Sequence, residues 1–294
     1  MFSNAQAAPL AALVMYCWDM CDKNLHCLSP DPDPRITAAG WNLVGYITGG
    51  DKIVKSGDSI RRKMLDVSLQ NSDRVCYGYL ANNSAGDYVA VIRGTDGAEE
   101  WLDDFDFILR QPDAPLQGLV DGGFYGIYQT LQFSHGANTS QPLAVGIAQT
   151  VANANVTVLG HSLGAALATY LSAELAALLP TSQITTCLFA SPKPGNSEFA
   201  DYFQNTVLNY QVFNYQRDLV PMAPPLGYSA LPGCTILPPN QTGLIIGSSP
   251  ACCHHAICYI ALLDADFYQQ LITQPTMTAD DKSCAACVIS KVVI

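Results

Sequence analysis

Basic side chains are scarce. Lys and Arg number 14 against 25 Asp and Glu, for a formal charge of −11 over 294 residues. Nucleic acid is held mainly by cations that reach phosphates, so this balance argues against it as a partner, and it also disfavours an anionic membrane surface. Charged residues of both signs make up only 13% of the chain, which leaves contact with neutral apolar surfaces open. Long apolar runs are missing too. The longest, Ala7 to Trp18 ("AAPLAALVMYCW"), is shorter than the roughly 20 residues that cross a bilayer, so no transmembrane segment is expected. It lacks the basic leader and cleavage site of a secretory signal and reads as an N-terminal helix packed on the core. A mature chain whose signal had been removed would look similar, so the compartment stays open, with secretion favoured in that case and a cytoplasmic location otherwise.

Spaced metal-ligand pairs are also lacking. Eleven cysteines are present, yet Cys284 and Cys287 form the only C-x-x-C pair, which does not make a zinc ribbon. Cys17, Cys21 and Cys27 crowd the N-terminus, while Cys234, Cys252, Cys253 and Cys258 crowd a late segment beside His254 and His255. Disulfides among them fit an oxidising compartment. A metal held by Cys252, Cys253 and the histidines would need vicinal ligands, against the usual spacing, and no metal or organic cofactor is expected.

What the sequence does contain is alternation. "RVCYGYL" (Arg74–Leu80) and "DYVAVIRG" (87–94) are joined by the polar turn "ANNSAG" and read as an antiparallel pair, with "WNLVGYI" (41–47) as a strand near the sheet edge. Further on, "PLAVGIAQTVANA" reads as a helix, "NVTVL" as a strand, and "LGAALATYLSAELAAL" as a helix stopped by Pro180. "ITTCLFA" then reads as a strand, "NSEFADYFQNTV" as a helix capped by Asn196, and "LNYQVFN" as a strand. Parallel neighbours need crossover connections, so the expected class is α/β with a mostly parallel central sheet and helices on both faces. Leu226 to Pro250, rich in Pro, Gly and Ser, reads as a long surface loop delivering one helix, "HHAICYIALLDADFYQQLI".

"GHSLG" (160–164) fits G-x-S-x-G and stands between an expected strand and an expected helix, where that pattern makes a sharp turn that exposes its serine. The helix N-terminus favours negative charge developing beside Ser162. A serine hydroxyl needs a base, and the base needs an orienting carboxylate. In the α/β-hydrolase chain order both follow the serine, acid first. Of five histidines only His254 and His255 come after Ser162, and either can serve. Asp218 is the best acid, following a strand and preceding a Pro-stiffened turn. Glu198 and Asp201 sit within a helix, and Asp264 and Asp266 come after the histidines.

Taken in order, "VAVIRGTDGAEEWLDDFDF", "DGGFYGIYQTL", "VLGHSLGAALA", "FASPKPGN" and "RDLVPMAPP" resemble the class 3 lipases, the family of the filamentous-fungal triacylglycerol lipases. The resemblance covers roughly residues 75 to 265. It implies an α/β-hydrolase fold with a short lid, and a Ser162, Asp218, His254 triad. His254 is preferred over His255 because the family often places a tyrosine where Tyr259 stands relative to it. It further implies an oxyanion hole from Thr95 and the N–H of Leu163. "DGAEEWLDDFDFIL" corresponds to the lid, with Trp101, Leu102, Phe105 and Phe107 as its apolar side; an amphipathic helix that never moves is the plainer alternative. The family often has His where "VDGGF" has Asp121, which bears on packing rather than on chemistry.

The chain is thus expected to be one α/β-hydrolase domain over 1–294. It would comprise an N-terminal helical and edge-strand segment (1–70), a lipase-like core (75–265) and a Cys-containing tail (267–294). The expected activity is serine hydrolysis of acylglycerol or other fatty-acyl esters, with a lipid or ester substrate met at a lipid–water interface and no set oligomeric state. A non-catalytic lipase-like domain that binds a ligand or partner in the same cleft is the alternative.

Overall fold

The computed structural model describes residues 2–23, 26–50, 74–94, 107–135 and 140–290. Among them, nine strands form the central sheet: β1 (Asn42–Gly50), β2 (Arg74–Asn82), β3 (Tyr88–Ile92), β6 (Gln132–Ser134), β7 (Ser140–Pro142), β8 (Val156–His161), β9 (Ile184–Phe189), β10 (Tyr210–Tyr215) and β11 (Thr235–Leu237). Two small ribbons pair β4 (Leu109–Arg110) with β5 (Val120–Asp121), and β12 (Leu244–Ile246) with β13 (Val288–Ser290). The lateral order is β11-β10-β9-β8-β3-β2-β1-β6-β7. From β11 to β3 all neighbours are parallel. β2, β1, β6 and β7 extend that parallel half as an antiparallel meander.

The parallel half forms because its strands are apolar on both faces and the chain between them is helical. In β3, Val89 and Val91 face one core while Ala90 and Ile92 face the other. One core holds the helices Gly122–Tyr128, Leu143–Val151, Leu163–Leu178 and Ser197–Thr206 against the sheet. The opposite core holds the N-terminal helix Asn4–Asp22 and the late helices Ala256–Leu263 and Ala265–Ile272. In β2, Val75 and Tyr77 face the first core but Tyr79 faces the second. A bulge between Cys76 and Gly78, where the register with β1 shifts, reverses the side-chain phase.

Three sequence expectations are corrected. β1 is not an edge strand, because β6 and β7 continue the sheet beyond it. The stretch from Leu226 to Pro250 is not a plain loop, since it contributes β11 to the sheet edge and β12 to a ribbon. The helix expected from His254 to Ile272 is broken twice. His254 ends the short helix Pro250–His254, His255 caps Ala256–Leu263, and Asp264 caps Ala265–Ile272 by accepting from the Phe267 N–H.

Every piece of the site described next lies at the carboxyl end of a parallel strand or on a segment returning to that edge. Open α/β sheets leave their crevice there.

Candidate active site

β8 ends at His161 and the next helix begins at Leu163, leaving Ser162 alone in the turn with φ 58° and ψ −133°. A non-glycine residue in this region carries about 1–3 kcal/mol of strain and persists only where its surroundings impose it. Here they do. The Ser162 N–H donates to the Phe189 carbonyl at 3.1 Å, and its own carbonyl accepts from Ala165 at 2.9 Å. The two glycines allow the strand and helix backbones to touch: a Cβ on Gly160 would lie 2.2 Å from the Gly164 oxygen, and one on Gly164 would lie 2.4 Å from the Ile92 oxygen. Ser162 is buried, and its Oγ has no hydrogen-bond partner among the described residues.

Asp218 follows β10, in the turn where its N–H donates to Tyr215. Its carboxylate is buried and fully engaged. Oδ1 accepts from the Val220 N–H at 3.0 Å, while Oδ2 accepts from the Tyr259 hydroxyl at 2.6 Å and from His254 Nδ1 at 2.8 Å. Burial, with the Asp218 charge beside it, holds the Tyr259 hydroxyl well above its usual range, so it remains a donor. Its oxygen in turn accepts from the Tyr215 N–H at 3.0 Å, locking the phenol between strand and acid. With Nδ1 donating to Asp218, the other imidazole nitrogen of His254 is left as a base; Nε2 is buried and has no partner among the described residues. His255 points elsewhere, its Nδ1 accepting from the Ile257 N–H at 3.2 Å as a helix cap.

His161 links the serine turn to the base. Its Nε2–H donates to the His254 carbonyl at 2.8 Å, and the two rings lie 4.7 Å apart. Burial and the neighbouring His254 hold His161 well below its usual value, so this ring stays neutral beside a group that can take up a proton.

Leu163 is the buried first residue of its helix, so its N–H has no carbonyl four residues back inside the helix. Thr95 lies outside the described residues, as do Trp101, Leu102 and Phe105. On the near side of that gap, a Cβ on Gly94 would lie 3.1 Å from Ser162 Cβ, and Arg93 pins the strand end by donating to the carbonyls of Cys76 and Gly94. On the far side, half-buried Phe107 meets Tyr228 edge-on at 6.4 Å. The Tyr228 hydroxyl donates to Asp121, which also caps the Gly122–Tyr128 helix through the Gly123 and Phe124 N–H groups. Asp121 therefore acts in packing, as its place outside the catalytic set implies. Cys252 is bonded to Cys287 and so is unavailable as a metal ligand, and a second disulfide joins Cys21 to Cys76.

Three contributors escaped sequence reasoning: the Tyr259 hydroxyl, His161 and Arg93. Tyr259 served there only as a spacing mark. An arginine closing the apolar run "VAVIRG" was the one available hint for Arg93.

The family model described as "Lipase (class 3)" matches residues 89–228. Phospholipase A1-II 3 of Oryza sativa subsp. indica is 27% identical over 210 residues, covering 62% of this chain and 50% of that protein. The secreted mono- and diacylglycerol lipase A of Penicillium cyclopium is 31% identical over 156 residues, covering 50% of this chain and 46% of that protein. The chain thus spans about half the length of these relatives. Among solved structures, a mutant form of MDLA from Penicillium cyclopium gives a TM-score of 0.53 at 22% identity, covering 78% of this chain and 77% of that one. A triacylglycerol lipase whose catalytic centre is a serine protease triad gives 0.56 at 18%, covering 82% and 83%. At these identities the structural likeness speaks for the fold, the α/β-hydrolase fold of the fungal lipases. The five ordered motifs, the sheet that carries them and the matched segment agree: residues 89–228 are similar to the class 3 lipases, and the fold is theirs.

Proposed function

We propose that this protein is a serine carboxylic-ester hydrolase that cleaves fatty-acyl esters of acylglycerols or phospholipids. Asp218, His254 and Ser162 would act as acid, base and nucleophile. The observation that carries the reading is the 2.8 Å bond from His254 Nδ1 to Asp218, which leaves Nε2 without a partner among the described residues, as Ser162 Oγ is on its strained turn one residue from the ring packed on His254. Ser162 Oγ attacks the ester carbonyl as His254 Nε2 takes its proton. The imidazolium, steadied by Asp218, returns that proton to the leaving alcohol. Water then resolves the acyl-enzyme by the same route. The Leu163 N–H, with Thr95 as the second donor implied by the family resemblance, would meet the charge on the carbonyl oxygen in the tetrahedral state. Catalytic hydrogen bonds often tighten only once substrate is bound, so an open Ser162–His254 pair accords with a site awaiting its ester. The relatives bear names of phospholipases A1 and of a mono- and diacylglycerol lipase, which supports a glycerolipid substrate.

The test is hydrolysis of p-nitrophenyl esters of increasing acyl length by the wild type and by Ser162→Ala, His254→Ala and His255→Ala. Ser162→Ala and His254→Ala are expected to lose about a thousandfold or more in kcat, and His255→Ala far less. Wild type and Ser162→Ala equally inert on every ester would overturn the reading in favour of a ligand-binding cleft.

A further inference from the structure

His254 is the last residue of a five-residue helix, Pro250–His254, too short to hold its own shape. On its inner side the ring and carbonyl of His254 are tied to Asp218 and His161. On its outer side the helix is tied to the C-terminal end of the chain. Cys252, two residues before the base, is bonded to Cys287. The Cys287 carbonyl accepts from the Gly247 N–H at 2.7 Å, and β12 pairs with β13 from Leu244↔Ser290 to Ile246↔Val288. Farther up this arm, the helix Ala279–Ala285 places Asp281 against Arg35, a buried arginine also bonded to Asp19 and Asp33. The base is thus held between the sheet and an arm anchored on the N-terminal helix, and the disulfide is the one covalent tie between that arm and the helix of His254 among the described residues. Both of its cysteines are half-buried and so within reach of a small reductant. Cys252, Cys287 and the arm all lie outside the segment that the class 3 model matches.

We propose that Cys252 and Cys287 are positioning residues for His254, their disulfide acting as a redox-sensitive clamp whose reduction lowers ester hydrolysis while leaving the sheet folded. This rests on the reading of His254 as base. In the switching step a thiolate of a dithiol reductant attacks one sulfur of the bond to give a mixed disulfide. Its second thiol then resolves that intermediate, so two electrons and two protons pass to Cys252 and Cys287 and the reductant leaves as a cyclic disulfide. Without the tie, the short helix loses its outer anchor, and a base displaced by about 1 Å costs on the order of a hundredfold in rate.

The experiment titrates the intact protein with dithiothreitol, maps thiols at Cys252 and Cys287 by mass spectrometry, and follows kcat, KM and circular dichroism on a p-nitrophenyl ester. Imidazole NMR of His254 is recorded in parallel. We expect kcat to fall about 10- to 100-fold in step with Cys252–Cys287 reduction, with KM and the dichroism spectrum held and the Nδ1–H signal of His254 broadened. Cys252→Ala/Cys287→Ala should show the same lowered kcat and no further response to reductant. If the double variant turns over at the wild-type kcat, the clamp is overturned while the hydrolase reading stands. If the wild type hydrolyses no ester, the hydrolase reading fails, and the His254 signal alone decides: broadening on reduction upholds the clamp, and an unchanged signal overturns it.

Discussion

Tyr259 shows how much of the site depends on single atoms. Its hydroxyl bonds the same Asp218 oxygen that takes His254 Nδ1, so it fixes where that oxygen points. Tyr259→Phe keeps the packing and removes this bond; steady-state kinetics should show kcat down about tenfold with KM little changed. Asp121 offers a second residue-level test. Burial pushes its carboxyl up to about 6 despite bonds from the Phe124 N–H, the Tyr228 hydroxyl and the Gly123 N–H. A carboxyl whose folded value exceeds its unfolded value makes the fold less stable as pH rises between the two, here from about 4 to about 6. Asp121→Asn keeps an oxygen for the cap and carries no charge. It should gain on the wild type across that window, by up to about 3 kcal/mol, in melting curves taken at pH 4 and pH 7. Equal pH dependence in the two proteins would contradict the assignment. At this scale Ser162 was legible because its signal is local, five residues at a strand–helix junction. His254 and His255 were not separable by type or by chain order, since they are neighbours. What distinguishes them is that one ends a helix and the other caps the next.

Among elements, the strand–turn–helix around Ser162 was readable because β8 and its helix differ sharply in composition. The contact between them depends on absent side chains. Gly164→Ala would place a Cβ 2.4 Å from the Ile92 oxygen and 2.5 Å from the Arg93 oxygen, so β3, β8 or the helix must move. Chemical denaturation should show a loss of about 2 kcal/mol or more, with esterase activity falling further than stability because the turn itself shifts. The breaks at His255 and Asp264 follow from capping. Asp264 accepts from the Phe267 N–H at 2.9 Å, and Asp264→Ala should cost about 1 kcal/mol. β6, β7, β11 and β12 each run only three residues, too few for a period of two to register against the surrounding Pro and Gly. That is why the meander beyond β1 and the strands inside 226–250 could not be read from sequence.

Across the whole molecule, the ends of the chain meet where no local pattern points. Arg35 gathers Asp19, Asp33 and Asp281 in a buried cluster and lies over the Tyr16 ring at 4.4 Å. The pairs are separated by 16, 2 and 246 positions, so only the short one was within reach of sequence reasoning. Burial and the nearby Asp281 push Asp19 up to about 7. Arg35→Ala would take the guanidinium from buried Asp33 and Asp281 and from half-buried Asp19, a loss of about 3–5 kcal/mol near neutral pH. That deficit should shrink as pH falls through about 7 and Asp19 takes up a proton, which melting curves at pH 5 and pH 8 would show.

In the proposed mechanism Ser162, in the turn after β8, works with a base, His254, from a segment much later in the chain. The most direct measurement of that union is peptide mapping by mass spectrometry after reaction with a long-chain p-nitrophenyl alkylphosphonate. A stoichiometric adduct on Ser162 is predicted, formed far more slowly in His254→Ala and absent in Ser162→Ala. Ester turnover with no adduct on Ser162, or an adduct forming at the wild-type rate in His254→Ala, would contradict the account.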